Sequence, residues 1–309
     1  MNTAKIIMYH YVRPIKESKF PEIKGLETDK FLKQLAYFEK NFKFGGINYL
    51  LDSINSKQNS KLEKIVLTFD DGLKDHFKHV FPILKEKNIQ GLFFPPAKPI
   101  IENKVLDVHK IQFILAVVKD KSLLVKEIME KINEYRKEAD IDDTQSLWKK
   151  LATSSRFDSA ETMFVKRILQ RELPNDIKTN ITKELFQKYV CNNENDFSKQ
   201  LYLSFDEIKE MRENGMYFSS HSYSHEWLSF LSSEKLEDEI KKSREFAEKI
   251  NPKGEQIMCY PYGDYDTKVI EKISENNFRV GLTTKIGDAE LSIKNRYHLE
   301  RFDTNDFIQ

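Results

Sequence analysis

Two aspartates stand side by side in Thr68-Phe69-Asp70-Asp71-Gly72, and two histidines stand four residues apart in His221-Ser222-Tyr223-Ser224-His225. Adjacent carboxylates after an apolar run often serve a turn or a helix cap. They can also take separate roles, one binding a cation while its neighbour accepts a proton, and the cation keeps both ionised at neutral pH. Histidines at i, i+4 reach one cation when their segment turns helically. One carboxylate with two imidazoles leaves positions open for water and substrate, as in catalytic rather than structural metal sites. The two cysteines, Cys191 and Cys259, are too few for a disulfide framework and too far apart for a CxxC thiolate site, which points to a reducing compartment.

These residues need elements to position them. Residues 6–9 read as a short buried strand, followed by a helix with Phe31, Leu35, Phe38 and Phe42 on one stripe and Thr28 or Asp29 as its cap. Ile65-Val66-Leu67 starts a second strand that runs into the aspartates, and the next helix carries Phe77, Val80, Phe81 and Leu84 with Pro82 as a kink. A strand over 89–94 meets Pro95-Pro96, which stops regular structure. The alternation resumes at Ser204 and Glu207, a capping box, with Gly215 as the helix stop. A strand over 216–220 runs into His221, and a helix follows with Leu236, Ile240, Ala247 and Ile250 on one face. A strand over 256–260 enters Pro261-Tyr262-Gly263, a helix runs through Val269, Ile270 and Ile273, and Val280-Gly281-Leu282 is a further strand. Strands alternating with helices imply parallel strands. His10, the aspartates, His221 and the 260–263 segment all fall at strand carboxyl ends, which lie on one face of an α/β barrel. The expected fold is therefore α/β, a distorted or incomplete (β/α) barrel.

Residues 100–203 break this pattern with polar helices, such as 111–135 and 163–173, and show no strand periodicity. They are expected as a helical insertion within a single catalytic domain spanning 1–309, lying on the loop face, where it narrows access to the metal. With 22 Phe, 13 Tyr and 39% hydrophobic residues, the chain can build a large core. Fifty Lys and Arg against 49 Asp and Glu give a net charge of +1, which offers no field for nucleic acid or an anionic membrane. No window has the roughly 18 consecutive apolar residues of a membrane span. Ile6-Ile7-Met8 is shorter than the about 7–15 apolar residues of a signal peptide, so a cytoplasmic location is expected.

Taken together and in order, Thr68-Phe69-Asp70-Asp71-Gly72, the 221–225 segment and Tyr260-Pro261-Tyr262-Gly263 resemble the first three motifs of the polysaccharide deacetylase (NodB-like, carbohydrate esterase 4) family. The resemblance covers about residues 4–98 and 204–303. It implies a barrel of the NodB-homology type, with Asp70 as general base and Asp71, His221 and His225 as ligands of a divalent cation, usually Zn2+. It also implies that the backbone N–H of Tyr262 serves the oxyanion, and that Tyr260 and Pro261 border the substrate.

The sequence departs from the family pattern in two places. The Arg that commonly stands two residues before the motif Pro is Cys259 here, and Arg13 or Arg301 could supply that charge from elsewhere. The Leu-x-x-His signature of the catalytic acid is missing, and His298 is the nearest candidate. His10 and Arg13 are expected as substrate contacts; His76, His79 and His109 as surface or packing residues. The expected reaction is hydrolysis of an N-acetyl or similar small N-acyl group from an amino sugar, carried by a small molecule or a cytoplasmic glycan precursor. Deformylation of a sugar nucleotide or lipid-linked sugar is the near alternative, and a non-catalytic carbohydrate-binding protein the distant one.

Overall fold

The computed structural model describes residues 2–56, 64–137, 139–155 and 158–307. Its strands, among these, are β1 (Thr3–Tyr9), β2 (Lys43–Phe44), β3 (Lys64–Asp70), β4 (Gly91–Phe94), β5 (Tyr217–Phe218), β6 (Gln256–Cys259), β7 (Phe278–Leu282), β8 (Ala289–Glu290) and β9 (Phe302–Asp303). β1, β3, β4 and β5 run parallel, side by side. Ser220, just past β5, bridges to Met258 of β6; β6 pairs with β7; Leu282 at the end of β7 bridges to Leu299; and β9 returns to β1. The parallel strands thus come full circle, distorted where single bridges stand in for ladders. β2 flanks the start of β3, and β8 lies antiparallel against the start of β1.

Register is set by an aromatic ladder. Tyr9, Phe69, Phe93 and Phe218 stand opposite one another on four successive strands. Their rings stack at 5.0, 4.7 and 5.3 Å between centroids. Each buried ring contributes about 1.5–3 kcal/mol, and each pair a further 0.5–1.5 or so. These rings pack with Phe31, Leu35 and Phe38 of the helix Thr28–Asn41. Because side chains alternate along a strand, Val66 and Thr68 point the other way, and Val66 joins Ile6, Leu92, Phe94, Ile257 and Val280 in a second cluster. A slip of one residue would turn every one of these side chains over.

Local differences from expectation have physical causes. The cap of the first helix is Glu27, with no side-chain cap bond, so neither Thr28 nor Asp29 serves. Pro82 lacks an N–H to donate, and the helix absorbs this with a π turn, His76–Val80, in which Phe81 N–H reaches back to the His76 carbonyl. Pro95-Pro96 ends β4 as expected, and regular structure resumes at once, with Pro96 as the N-cap of a further helix, Ala97–Glu102. The capping box at Ser204 and Glu207 is present, and Gly215 sits at φ +89°.

The chain divides into two compact units, one of residues Met1–Pro14, Gly25–Lys104 and Ser198–Gln309, the other of Ile15–Lys24 and Val105–Phe197. The first holds the strands. The second is helical among its described residues, with the expected 111–135 helix divided into Asp107–Val117 and Lys121–Tyr135. Asp120 caps the latter through Ser122 N–H and Leu123 N–H. Its core includes Phe113, Ile128, Phe164, Ile181 and Phe186, with Phe20 and Phe197 edge-on to Phe113.

Candidate active site

The three motifs sit at carboxyl ends of parallel strands in the first unit. β3 ends on Asp70, β5 leads through Ser219 and Ser220 to His221, and β6 leads directly into Tyr260. All three turn through left-handed backbone: Asp71 (φ 71°), Gly72 (60°), Ser222 (64°), His225 (61°), Tyr262 (58°) and Gly263 (68°). Residues other than glycine adopt this region at a cost of roughly 1 kcal/mol or more each, and such strain gathers where side chains must be aimed. Only glycine fits at 72, where a Cβ would come within 2.5 Å of the Pro95 Cβ.

Asp71 Oδ1 lies 3.5 Å from Nε2 of His221 and 3.5 Å from Nε2 of His225, and all three residues are buried. That spacing is long for a hydrogen bond. It matches the separation of two ligands on a tetrahedral ion with bonds near 2.0–2.1 Å, about 3.4 Å. His221 Nδ1 lies 2.8 Å from the Cys259 carbonyl oxygen. A carbonyl only accepts, so Nδ1 carries the hydrogen and Nε2 presents its lone pair toward Asp71. Burial holds His221 below the ordinary histidine range, against the pull of Asp70 and Asp71. One carboxylate and two imidazoles so placed form a candidate divalent-metal site.

Asp70, His221 and Cys259 form a second cluster of ligand-type atoms. It suits a cation poorly. Burial pushes the Cys259 thiol well above its ordinary range, so it stays protonated. Both Asp70 oxygens are already engaged: Arg301 NH1 donates to Oδ1 at 2.9 Å and NH2 to Oδ2 at 2.7 Å. Arg301 is itself fully buried, its Nε donating to the Thr283 carbonyl at 2.7 Å and its NH1 also to Thr68 Oγ1 at 3.1 Å. Burial raises the Asp70 carboxyl, but the Arg301 charge, then His221, then the Arg301 bonds outweigh it and bring it down to about 2. Asp70 is therefore ionised at neutral pH. Of the two arginines considered for this role, Arg301 fills it; Arg13 pairs with Asp75 at 2.5 Å and lies over the Tyr11 ring.

The i, i+4 spacing of His221 and His225 does not reflect a helical turn: residues 221–225 are irregular, with Ser222 and His225 left-handed. Tyr262 stacks on Trp227 at 4.2 Å and meets the His225 ring edge-on at 4.7 Å. Sequence reasoning missed Trp227, two residues beyond His225. The Tyr260 side chain is wholly buried, its hydroxyl donating to the Tyr297 carbonyl at 2.9 Å, and Pro261 is buried beside it, so both support the turn. His10 is half-buried, and its charge, when present, acts on Asp70. His298 is half-buried and stacks on Tyr265, with ring centroids 6.1 Å apart. His76 is a packing residue between Phe69 and Phe93, its Nε2 donating to the His10 carbonyl at 2.9 Å.

The sequence profile described as polysaccharide deacetylase matches residues 57–155 and 176–281, more than half of the chain and including all three motifs. The Bacillus subtilis (strain 168) protein YxkH is 25% identical over 88 residues, 28% of this chain and 32% of YxkH, so the match spans about a third of that relative's length. Among solved structures, the Streptococcus pyogenes deacetylase PplD in complex with acetate aligns with a TM-score of 0.59 at 16% identity, covering 97% of this chain and 92% of that one. The de-N-acetylase from Aggregatibacter actinomycetemcomitans aligns with a TM-score of 0.57 at 14% identity, covering 99% and 97%. At these identities the structural likeness establishes a shared fold, and it is the profile match across the motif-bearing segments that establishes descent: the chain belongs to the polysaccharide deacetylase family, hydrolases of the deacetylase type acting on carbon–nitrogen bonds.

Proposed function

We propose that this chain removes an N-acetyl or similarly small N-acyl group from an amino sugar by metal-dependent hydrolysis, with Asp71, His221 and His225 holding Zn2+. The observation that carries the reading is the division of labour at the end of β3: Asp71 faces the Nε2 atoms of two imidazoles, while Asp70, one residue away, is locked in an ionised state by Arg301. A bound cation supplies a Lewis acid that polarises the amide carbonyl and makes water acidic enough to attack near neutral pH. Asp70 accepts the proton of the attacking water on a carboxylate oxygen, and Arg301 fixes the plane in which that oxygen points. The backbone N–H of Tyr262, aimed by its left-handed turn, donates to the carbonyl oxygen as negative charge grows there. His298, three residues before Arg301, is the proposed donor of a proton to the departing amine.

Acetate bound to the Streptococcus pyogenes deacetylase, and the de-N-acetylase activity named for the Aggregatibacter protein, favour acetyl as the acyl group. The test is incubation of the zinc-loaded protein with N-acetylated and N-formylated amino sugars, free, nucleotide-linked and in oligosaccharides, with assay of the released acid. Acetate release that stops on chelation is the expected result. Formate alone would reassign the acyl group. No release from any of them, with zinc bound, would favour a carbohydrate-binding role instead.

A further inference from the structure

An i, i+4 pair on an α-helix is held by the backbone hydrogen bonds of the helix itself. Residues 221–225 are not helical, so the approach of the His221 and His225 rings, 4.8 Å between centroids, needs another support. The carbonyls of Ser222 and Tyr223 accept from Ala97 N–H and Lys98 N–H at 3.2 and 2.8 Å, and Ser222 Oγ accepts from His225 N–H at 3.0 Å. The backbone N–H groups of Tyr223 and Ser224 and the Ser224 hydroxyl turn to one side chain. Glu239, on the helix Ser233–Ile250 and 7% exposed, accepts Tyr223 N–H at 3.0 Å and Ser224 N–H at 2.7 Å on Oε1, and the Ser224 hydroxyl at 2.7 Å on Oε2.

A buried carboxylate is costly to desolvate. Here hydrogen bonds from the loop offset part of that cost, the three just given from Tyr223 and Ser224 together with the Ser222 side chain, although burial still holds the Glu239 carboxyl above its ordinary range. Backbone donors to a carboxylate are charge-assisted and directional. They hold in place a loop whose two left-handed residues would otherwise relax. We infer that Glu239 is a positioning residue for the metal: its carboxylate sets the separation of the two imidazoles that, on the reading proposed above, bind the cation. The hydrogen bonds given above end on the loop between the imidazoles, so its influence runs through that loop.

The test compares zinc affinity, by competition with a chromophoric chelator, in the full-length wild type, Glu239→Gln and Ser224→Ala, with thermal unfolding of the metal-free proteins alongside. Glu239→Gln keeps the shape but removes the negative charge that strengthens all of these bonds, and its amide nitrogen can meet the Ser224 hydroxyl only as a donor. Ser224→Ala removes one bond and leaves the backbone pair, so it preserves the fold if the first variant does not. Second-sphere losses of this kind typically weaken metal binding about 10–100-fold, and that is expected for Glu239→Gln, with a smaller loss for Ser224→Ala. Lowered unfolding temperatures with wild-type zinc affinity in both variants would overturn the positioning role and leave the metal site standing. A wild type that binds no zinc would overturn the metal reading, and the positioning role with it.

Discussion

Arg301 and Asp70, 231 residues apart in the chain, meet in full burial through two parallel hydrogen bonds of 2.9 and 2.7 Å. The pair carries weight on both sides. Asp70 cannot keep its charge in that position without the guanidinium, and Arg301 has no water to fall back on. Breaking a buried pair by removing one partner typically costs about 3–5 kcal/mol. We predict a loss of that order for Arg301→Leu, read as a lower urea midpoint. Arg301→Lys should recover only part of it, because an ammonium cannot make the two parallel bonds. Stability of Arg301→Leu within about 0.5 kcal/mol of wild type would show that the pair is not structural.

Asp70→Asn should separate proton transfer from metal binding. The amide keeps the shape but accepts no proton, and Asp71 already supplies the carboxylate beside the imidazoles. Loss of a general base typically costs about 10²–10⁴ in rate. The expected variant retains stoichiometric zinc and is nearly inactive on a substrate that the wild type turns over. Near-normal turnover would remove Asp70 from the mechanism; loss of zinc would make it a ligand.

Asp71→Asn, His221→Ala and His225→Ala should each lose most of their zinc, measured by elemental analysis after dialysis against a weak chelator. Three protein ligands leave little redundancy, and deleting one exposes the ion to exchange. Full zinc content in both histidine variants would move the metal site elsewhere.

His76 predicts a pH dependence. Burial lowers its pKa to about 4; the bond to the His10 carbonyl and the charges of Asp71 and Asp70 act in the opposite direction, while His10 adds to the lowering. Between pH 6.5 and 4 the unfolded chain therefore binds a proton that the folded one refuses. Stability from this group is complete above about pH 6.5 and falls by roughly 3 kcal/mol as the pH drops to about 4. His76→Gln keeps a donor for the His10 carbonyl and does not titrate. Denaturation at several pH values should show a shallower acid loss in the variant than in wild type, and parallel curves would refute the assignment.

Much of the site was legible in residue order alone. Strand patterns running into the Asp70-Asp71 pair, into His221 and through Tyr260 into Pro261 put the three motifs on one edge of a parallel barrel, because parallel strands share a carboxyl end. The capping box at Ser204 was equally readable, since both of its partners lie within four residues. Matters of local backbone were harder. The i, i+4 spacing of His221 and His225 suggested a helical turn, yet the loop takes its shape from Glu239 and from the amino end of the helix Ala97–Glu102, neither adjacent in sequence. The cap at Thr28 or Asp29 failed because Glu27 takes that position. Which arginine would serve Asp70 was undecidable from the chain, where Arg13 is the nearer in number. Hydrophobic periodicity tells which way a side chain faces on its own strand, not which distant segment it will meet. Only closure of the barrel, with β9 laid against β1 and β1 against β3, brings Arg301 to the end of the strand that carries Asp70.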